Sequence, residues 1–121
     1  MKNTEQQPQP YDVLIIGGGM VGLTLACALG GSSLTVGLIE HDFPAPYEPE
    51  QPYDLRVSAL SAASRSILST LGVWDGISSR RLCPYRRMKV WEADETRAAT
   101  EFNSDEIGAS ELGHIVENRV V

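Results

Sequence analysis

Residues 12–40, DVLIIGGGMVGLTLACALGGSSLTVGLIE, decide the fold of this chain. The 27 residues between Asp12 and Glu40 carry no charge, and about 20 apolar residues are enough to cross a bilayer. Seven of the 27 are glycine, however, and a glycine inside a helix costs roughly 1 kcal/mol relative to alanine. The glycines also occur in groups, which is typical of turns. The composition therefore favours a soluble segment over a membrane span.

Residues 1–12 are not typical of an export signal, and we do not expect them to act as one. They carry Glu5 and Asp12 against the single Lys2, and an Ala-x-Ala-like cleavage site is missing from the sequence. Residues 1–10 are polar and contain two prolines, which predicts a disordered leader. We therefore expect the folded part of the chain to be residues 11–121.

The apolar stretch divides into strand, turn, helix and strand. Val13–Ile16 is a short β-branched run, typical of a strand that is buried on both faces. Met20–Leu29 has helical propensity, and Gly30 and Gly31 provide a C-terminal stop. A second apolar run covers residues 34–39. The pattern predicts an α/β fold that starts with a Rossmann-like βαβ unit.

The glycines of the first turn fit the pattern G-x-G-x-x-G at Gly17, Gly19 and Gly22. In that motif the first glycine allows the tight turn, the second lets a pyrophosphate approach the backbone, and the third lets helix and strand pack closely. Free N–H groups and the positive end of the helix dipole would then face the anion. Such a motif is weak alone, but here it follows a strand and opens a helix.

An acidic residue strengthens this interpretation. Glu40 stands at the end of the second predicted strand, where its carboxylate can accept hydrogen bonds from ribose hydroxyls and would repel a 2′-phosphate. We therefore predict a site for FAD or NAD, and not for NADP; a purely structural βαβ unit without a ligand is the alternative. The predicted cofactor-binding residues of this segment are Gly17, Gly18, Gly19, Met20, Val21, Gly22 and Glu40.

Composition excludes several other classes of function. The net charge of −6 argues against a general nucleic-acid binder. Cys27 lies in the apolar helix and is predicted to be a small core residue, and Cys83 has no partner motif, so we expect a reducing cytoplasm rather than a disulfide framework. His41 and His114 lack metal-ligand spacing, which argues against a zinc site. The G-x-S-x-G signature of hydrolases is also missing from the sequence.

The middle of the chain is predicted to be a loop followed by a helix. Residues 41–54, HDFPAPYEPEQPYD, contain four prolines and predict an irregular loop. The next block has an apolar stripe at helical spacing, with Ser58 or Ser61 as its cap and Gly72 as its end. Arg56, just before this helix, could reach a phosphate bidentately or could simply be solvated. The stripe consists of Ala59, Leu60, Ala63, Ile67, Leu68 and Leu71.

The last third of the chain predicts strands. MKVWEADETRAATEF indicates a β-hairpin whose turn spans residues 93–96, with Trp91 and Phe102 as core or sheet-packing residues. Residues 112–116 predict a further strand, and Glu117 and Asn118 could begin a helix. The chain ends three residues later, which we interpret as a truncation.

Five positive charges lie within ten residues of this acidic chain. They indicate either a solvated face or an electrostatic site for a nicotinamide phosphate, a partner protein or an anionic membrane surface. These residues are Arg80, Arg81, Arg86, Arg87 and Lys89.

Four blocks of the sequence, taken in order, resemble one known family. They are DVLIIGGGMVGLTLACAL, DLRVSALSAASRSILSTLGVWD, SRRLCPYRRMKVWE and LGHIVENRVV, and they cover nearly all of residues 11–121. The blocks are similar to the N-terminal portion of the ubiquinone-biosynthesis aromatic hydroxylases, which are class A FAD-dependent monooxygenases, and most of all to the 2-octaprenylphenol hydroxylase type. The family's second FAD motif of the G-D type and its substrate sheet are missing from these residues.

The resemblance implies a function. Gly17, Gly19, Gly22 and Glu40 would hold the ADP half of FAD, Arg56 would line the phosphate or isoalloxazine side of the flavin, and Asn118 would approach the flavin. The implied reaction is hydroxylation of a polyprenylated phenol with O₂, in which NAD(P)H is the transient reductant and FAD carries the chemistry.

The resemblance names no catalytic acid or base, and we name none. It implies a cytoplasmic protein, peripheral to the inner membrane if the basic residues make the contact. The alternatives are another FAD-dependent oxidoreductase with the same glycine turn, or a truncated binding or assembly module without activity.

Overall fold

The computed structural model describes the backbone of residues 10–92 and 95–121. Side-chain burial is described for the same residues except 95–97. Residues 1–9 of the predicted leader therefore lie outside the described residues, as do Ala93 and Asp94 of the predicted hairpin turn. The chain divides into two compact units, Met1–Pro44 and Ala45–Val121. The fold is a mixture of helices and strands in small sheets.

The first unit is a parallel βαβ arrangement. Strand β1 (Val13–Ile16) is followed by helix α1 (Met20–Leu29) and strand β2 (Val36–Ile39). The two strands pair in parallel from Val13 opposite Val36 to Ile16 opposite Ile39. A parallel pair needs a crossover connection, and α1 provides it. The order predicted from the glycine-interrupted stretch is therefore confirmed, with β2 shorter by two residues at its start.

Burial in the first unit differs from the prediction. Ile15 is buried, but Leu14 and Ile16 are exposed, so β1 is covered on one face only. No residue of α1 is buried, and Cys27 is exposed, so its prediction as a core residue is wrong. The physical reason is that a two-stranded sheet covers only one side of the helix.

Among the described residues, no helix is long and apolar enough to cross a membrane.

The second unit is built around a three-stranded antiparallel sheet. The last strand, β7, pairs with β3 on one side and with β4 on the other. Two helices, a separate hairpin and a short 3₁₀ helix complete the unit. Its elements are β3 (Val57–Ser61), α2 (Ala62–Thr70), α3 (Trp74–Ser78), β4 (Leu82–Tyr85), β5 (Arg87–Glu92), β6 (Glu95–Asn103), the 3₁₀ helix (Ser104–Ile107) and β7 (Gly113–Glu117).

The predicted middle helix begins later than expected. Ala59 and Leu60 belong to β3 and not to the helix, because Leu60 pairs with His114 of β7 and is buried. Of the two predicted caps, Ser61 is the one used: its hydroxyl accepts a hydrogen bond from the Ser64 N–H at 3.2 Å. The core of the unit consists of Leu60, Leu68, Trp74, Ile77, Val116 and Val120.

The predicted hairpin is present as β5 and β6, which pair antiparallel. Trp91 and Phe102 lie on the paired strands of this hairpin, but they are not core residues, since they are 54% and 50% exposed. The reason is that the hairpin forms a sheet of two strands only, so neither of its faces is covered in the way a core strand's would be.

The end of the chain contains a strand and then a turn. Strand β7 is shifted by one residue from the predicted 112–116. The predicted helix start at Glu117 and Asn118 is wrong, because Glu117 is the last residue of β7 and Asn118 lies in a turn. That turn is closed by the Val120 N–H, which donates to the Glu117 carbonyl at 2.9 Å.

Candidate functional site

The turn between β1 and α1 has a shape that requires glycine at two positions. Gly17 has a φ of +102°, and its N–H donates to the Ile39 carbonyl at 2.9 Å. A Cβ on Gly22 would lie 1.9 Å from the Gly17 carbonyl oxygen, so no other residue fits there without moving the backbone. A Cβ on Gly19, by contrast, would meet nothing within 4 Å. The backbone at Gly19 is therefore open to an incoming group.

The N-terminus of α1 is free to bind an anion. Gly19 is its N-cap, no side chain caps the helix, and its first turn contains no acidic residue. The N–H groups of the first turn have no acceptor within a helix, and the dipole places partial positive charge there. The residues present therefore fit a phosphate group. Met20 and Val21 lie in the first turn of α1, and Gly18 directly precedes its N-cap. Binding of a ligand by any of these residues stays a prediction.

The structure brings Glu40 to the glycine turn. One oxygen of its carboxylate accepts a hydrogen bond from the Gly18 N–H, and the other accepts from the N–H groups of His41 at 2.6 Å and Asp42 at 3.1 Å. These N–H groups, that of Asp42 first and then those of Gly18 and His41, lower the pKa of Glu40 below its ordinary value. The carboxylate is therefore a fixed anion at neutral pH beside the turn that would receive a nucleotide.

In the second unit, the structure places Arg56 and Asn118 side by side. Antiparallel pairing of β3 and β7 sets Val57 opposite Glu117, so the residues that flank this pair also meet. The Asn118 N–H donates to the Arg56 carbonyl at 2.9 Å, and the Ser58 hydroxyl lies 2.7 Å from the Asn118 side-chain oxygen, to which it donates. The side chain of Arg56 is exposed.

Sequence reasoning missed Glu117. This residue is 3% exposed, and its carboxylate accepts hydrogen bonds from the Asp54 N–H at 2.8 Å and from the Arg119 guanidinium. Arg81 lies 3.6 Å from the other oxygen. The Asp54 N–H contributes most to lowering the pKa of Glu117, and Arg119 and Arg81 add to it against the opposing effect of burial. The available signal was a glutamate that ends an otherwise apolar strand, followed two residues later by arginine.

The residues of the basic cluster differ in exposure, since Arg81 is partly buried and the other four are exposed. Arg81 is about one-fifth exposed and stacks on Tyr53, with 4.6 Å from its guanidinium carbon to the ring centre. Arg80 lies 5.1 Å from the centre of the Tyr47 ring. Arg86 and Arg87 are exposed. A solvated face is therefore the wrong description for Arg81, which is held by aromatic and acidic partners.

The two histidines lie in different surroundings. His114 is buried, meets Trp74 edge-on at 5.2 Å between ring centres, and lies 3.6 Å from the Glu111 carboxylate. Glu111 in turn accepts a hydrogen bond from Arg65 at 2.8 Å. His41 is exposed and adjoins Asp42. His114 is thus a packing residue of the second unit, where Trp74 and Glu111 fix its ring.

Comparison with curated proteins identifies relatives along most of the chain. It is 43% identical over 113 residues to the 3-demethoxyubiquinol 3-hydroxylase of Escherichia coli, an alignment that covers 93% of this chain and 28% of the relative. It is 40% identical over 120 residues to the ubiquinone biosynthesis monooxygenase COQ6, mitochondrial, of Xenopus tropicalis (94% and 25%). The human protein of the same name is 38% identical over 116 residues (92% and 24%). No protein-family model matches the chain.

These relatives have similar names, and the chain covers a similar share of the length of each. Each is named as a hydroxylase or a monooxygenase of ubiquinone metabolism. The chain spans about a quarter of the length of the curated relatives that it matches. Over that quarter, the resemblance of the four sequence blocks to the ubiquinone-biosynthesis hydroxylases is confirmed at the level of the family.

Proposed function

We propose that the chain is the FAD-binding part of an aromatic-ring hydroxylase that acts on a polyprenylated phenol in ubiquinone biosynthesis. The observation that carries this proposal is the glycine turn beside Glu40. A side chain on Gly22 would clash with Gly17, and the backbone at Gly19 is open. Helix α1 starts at this point without a hydrogen bond from a capping side chain. Membership in a family of hydroxylases supplies the reaction class.

The proposal assigns a role to each part of the turn. The glycine turn, that is Gly17, Gly18, Gly19, Met20, Val21 and Gly22, receives the pyrophosphate, whose charge is favoured at the N-terminus of α1. The N–H groups of Gly17 and Gly18 already donate to Ile39 and Glu40, so the phosphate oxygens accept from the N–H groups of residues 19–22. Glu40 accepts hydrogen bonds from the adenosine ribose; each oxygen of its carboxylate has more than one lone pair, so its contacts to Gly18, His41 and Asp42 leave acceptor capacity.

Residues of the second unit complete the proposal. Arg56 has an exposed guanidinium, which can donate two parallel hydrogen bonds to a phosphate. Asn118 is oriented by Ser58. We propose both as contacts of FAD, as the family resemblance implies. When bound, FAD supplies the redox and oxygen-transfer chemistry, while the protein binds and orients it and excludes water.

The remaining partners are the polyprenylated phenol, O₂ and NAD(P)H. We also propose a cytoplasmic protein that is peripheral to the inner membrane. The proposed membrane or complex contacts are Arg80, Arg81, Arg86 and Arg87; Arg80, Arg86 and Arg87 are exposed, whereas Arg81 is partly buried and is the least available of the four. Juxtamembrane cations each contribute about 1 kcal/mol near an anionic surface.

The test uses the intact protein, loaded with FAD and supplied with NADH or NADPH and a polyprenylated phenol. We expect stoichiometric FAD and a hydroxylated product whose formation requires O₂. A yellow protein that oxidises NAD(P)H without hydroxylating any phenol would instead identify another FAD-dependent oxidoreductase. A protein that takes up no flavin would overturn the proposal in favour of a binding or assembly module.

A further inference from the structure

The segment that connects the two units ends in an irregular stretch, residues 45–54, here called the proline loop. It contains Pro46, Pro49 and Pro52, and proline has no backbone N–H. The loop can therefore close few turns by its own hydrogen bonds, and its carbonyl groups need donors from elsewhere. Those donors come from charged side chains of the second unit.

Three charged side chains hold the proline loop. They are Arg81, Glu117 and Arg119, here called the clamp. Arg81 donates to the carbonyls of Pro49 and, at 2.6 Å, Gln51, and Arg119 donates to that of Pro52.

The carboxylate of the clamp holds the far end of the loop. Glu117 accepts from the Asp54 N–H at 2.8 Å and also pairs with both arginines. The side chain of Glu117 is 4% exposed, and those of Arg81 and Arg119 are 19% and 26% exposed. Water competes little for such a contact, so its removal has more effect than loss of a surface ion pair.

The clamp is continuous with the two candidate cofactor contacts of the second unit. Asp54, which donates its N–H to Glu117, uses its own carboxylate to accept from the Arg56 N–H at 3.0 Å. The Arg56 carbonyl accepts from Asn118, which lies between Glu117 and Arg119 in the chain. The backbone of Arg56 is thus fixed on both sides by groups that the clamp holds, while its guanidinium is exposed.

We propose that the clamp is a positioning device for FAD: Glu117, with Arg81 and Arg119, holds the backbone that carries Arg56 and Asn118 in the orientation that binds the cofactor. This inference rests on the proposed function. Glu117, Arg81 and Arg119 are positioning residues, because they act through Arg56 and Asn118.

The test replaces Glu117 in the intact protein by glutamine, which keeps an acceptor for the Asp54 N–H but removes the charge that both arginines contact. The matched control is Glu111→Gln, which removes the charge that Arg65 and His114 contact; these contacts involve neither the proline loop nor Arg56. Two properties are measured: the Kd for FAD in a titration, and the hydrogen exchange of the Asp54 amide in the apoprotein.

We expect Glu117→Gln to bind FAD about tenfold more weakly, within the range of coupling between contacting residues. The Asp54 amide should also exchange faster. Glu111→Gln should change neither property. If Glu117→Gln does not fold, Arg119→Gln is used in its place, because Arg119 is partly exposed and its loss leaves Arg81 on the carboxylate. An unchanged Kd in a folded variant overturns the inference.

A second measurement separates positioning from general stabilisation. In a protein that already carries Arg56→Ala, Glu117→Gln should weaken FAD binding by a smaller factor than it does in the unsubstituted protein, because part of its action passes through Arg56. Fully additive losses would instead show a structural role only and would overturn the inference. Failure of the proposed function looks different, since the unsubstituted intact protein would then bind no FAD at all.

Discussion

At the scale of single residues, Gly19 and Gly22 have opposite surroundings within one turn. A Cβ on Gly22 would meet the Gly17 carbonyl, whereas a Cβ on Gly19 would meet no atom of the described residues within 4 Å. Gly22 is therefore constrained by the fold, whereas Gly19 is constrained only by a ligand that approaches it from outside. Substitution at the two positions should separate stability from binding.

We predict that Gly22→Ala destabilises the intact protein by about 1–3 kcal/mol, the range for overpacked sites, and lowers its FAD content. Gly19→Ala serves as the matched control: it should leave the unfolding free energy nearly unchanged and still weaken FAD binding, because its methyl group occupies the space of the phosphate. The measurements are urea unfolding and flavin titration. Equal unfolding midpoints for the two variants would contradict this assignment.

Glu40 gives a prediction about nucleotide choice. Glu40→Arg should weaken FAD binding by roughly 1–3 kcal/mol, the scale of losing the partner of a charge-assisted hydrogen bond. Flavin titration of the purified protein measures it, and Glu48→Arg, at an exposed position of the proline loop, is the charge-matched control. An unchanged affinity would remove Glu40 from the site.

The same carboxylate predicts a pH dependence. The folded state lowers the pKa of Glu40 below its ordinary value of 4.5, so its contribution to stability is present above that value and is lost as pH falls through the lowered pKa. Glu40→Gln lacks this contribution. The difference in unfolding free energy between wild type and variant should therefore shrink as the pH is lowered below about 4.5. Urea titrations across this range test it; a constant difference would contradict it.

At the scale of elements, β3 and α2 meet at Ser61, which ends the strand and caps the helix. The strand holds Leu60 against β7, and the helix returns Leu68 to the same core. The Ser61 hydroxyl satisfies the Ser64 N–H, which would otherwise have no acceptor in the helix. A single side chain therefore fixes where the strand stops and the helix begins.

We predict that Ser61→Ala destabilises the protein by about 1 kcal/mol, as expected for a lost N-cap. Ser66→Ala is the control, because Ser66 is an exposed residue inside the same helix and alanine has the higher helix propensity. Thermal unfolding followed by circular dichroism compares the two. If both substitutions have the same effect, Ser61 does not act as the cap.

At the scale of the whole molecule, large apolar side chains are exposed on both units. Ile16 and Val21 are 82% and 81% exposed in the first, and Leu55 and Ile107 are 97% and 71% exposed in the second. Contiguous apolar surface that stays exposed to water marks an interaction site or an aggregation hazard. The chain also spans about a quarter of its relatives' length.

We therefore predict that residues 1–121, expressed alone, bind a fluorescent apolar dye, associate with increasing concentration, retain FAD poorly and hydroxylate no phenol. Ile16→Thr combined with Val21→Lys should reduce dye binding, and Ser33→Lys, at an exposed polar position, is the control. Gel filtration, flavin absorbance and a hydroxylation assay measure the outcome. A monomer with stoichiometric FAD and coupled product formation would contradict the prediction.

The sequence by itself determined the features that depend on neighbours in the chain. The βαβ order, the glycine turn and the β5–β6 hairpin all follow from local patterns, because strand, turn and helix preferences act over a few residues. The same patterns restricted the helix cap to Ser58 or Ser61, and the structure shows that it is Ser61. The resemblance carried by the four blocks likewise belongs to the sequence. Glu40 could be predicted for the same reason: it stands directly after a recognisable strand.

Only the tertiary structure decided what depends on distant partners. Ala59 and Leu60 fit a helical stripe, but pairing with β7 makes them a strand, since tertiary contacts override weak local propensity. The sequence predicts Trp91 as a core or sheet-packing residue, but its side chain is exposed because the hairpin has only two strands. Glu117 is buried and ion-paired because the end of β7 contacts the proline loop and the two arginines of the clamp. Burial and ion pairing depend on which surfaces meet, and local patterns do not encode that.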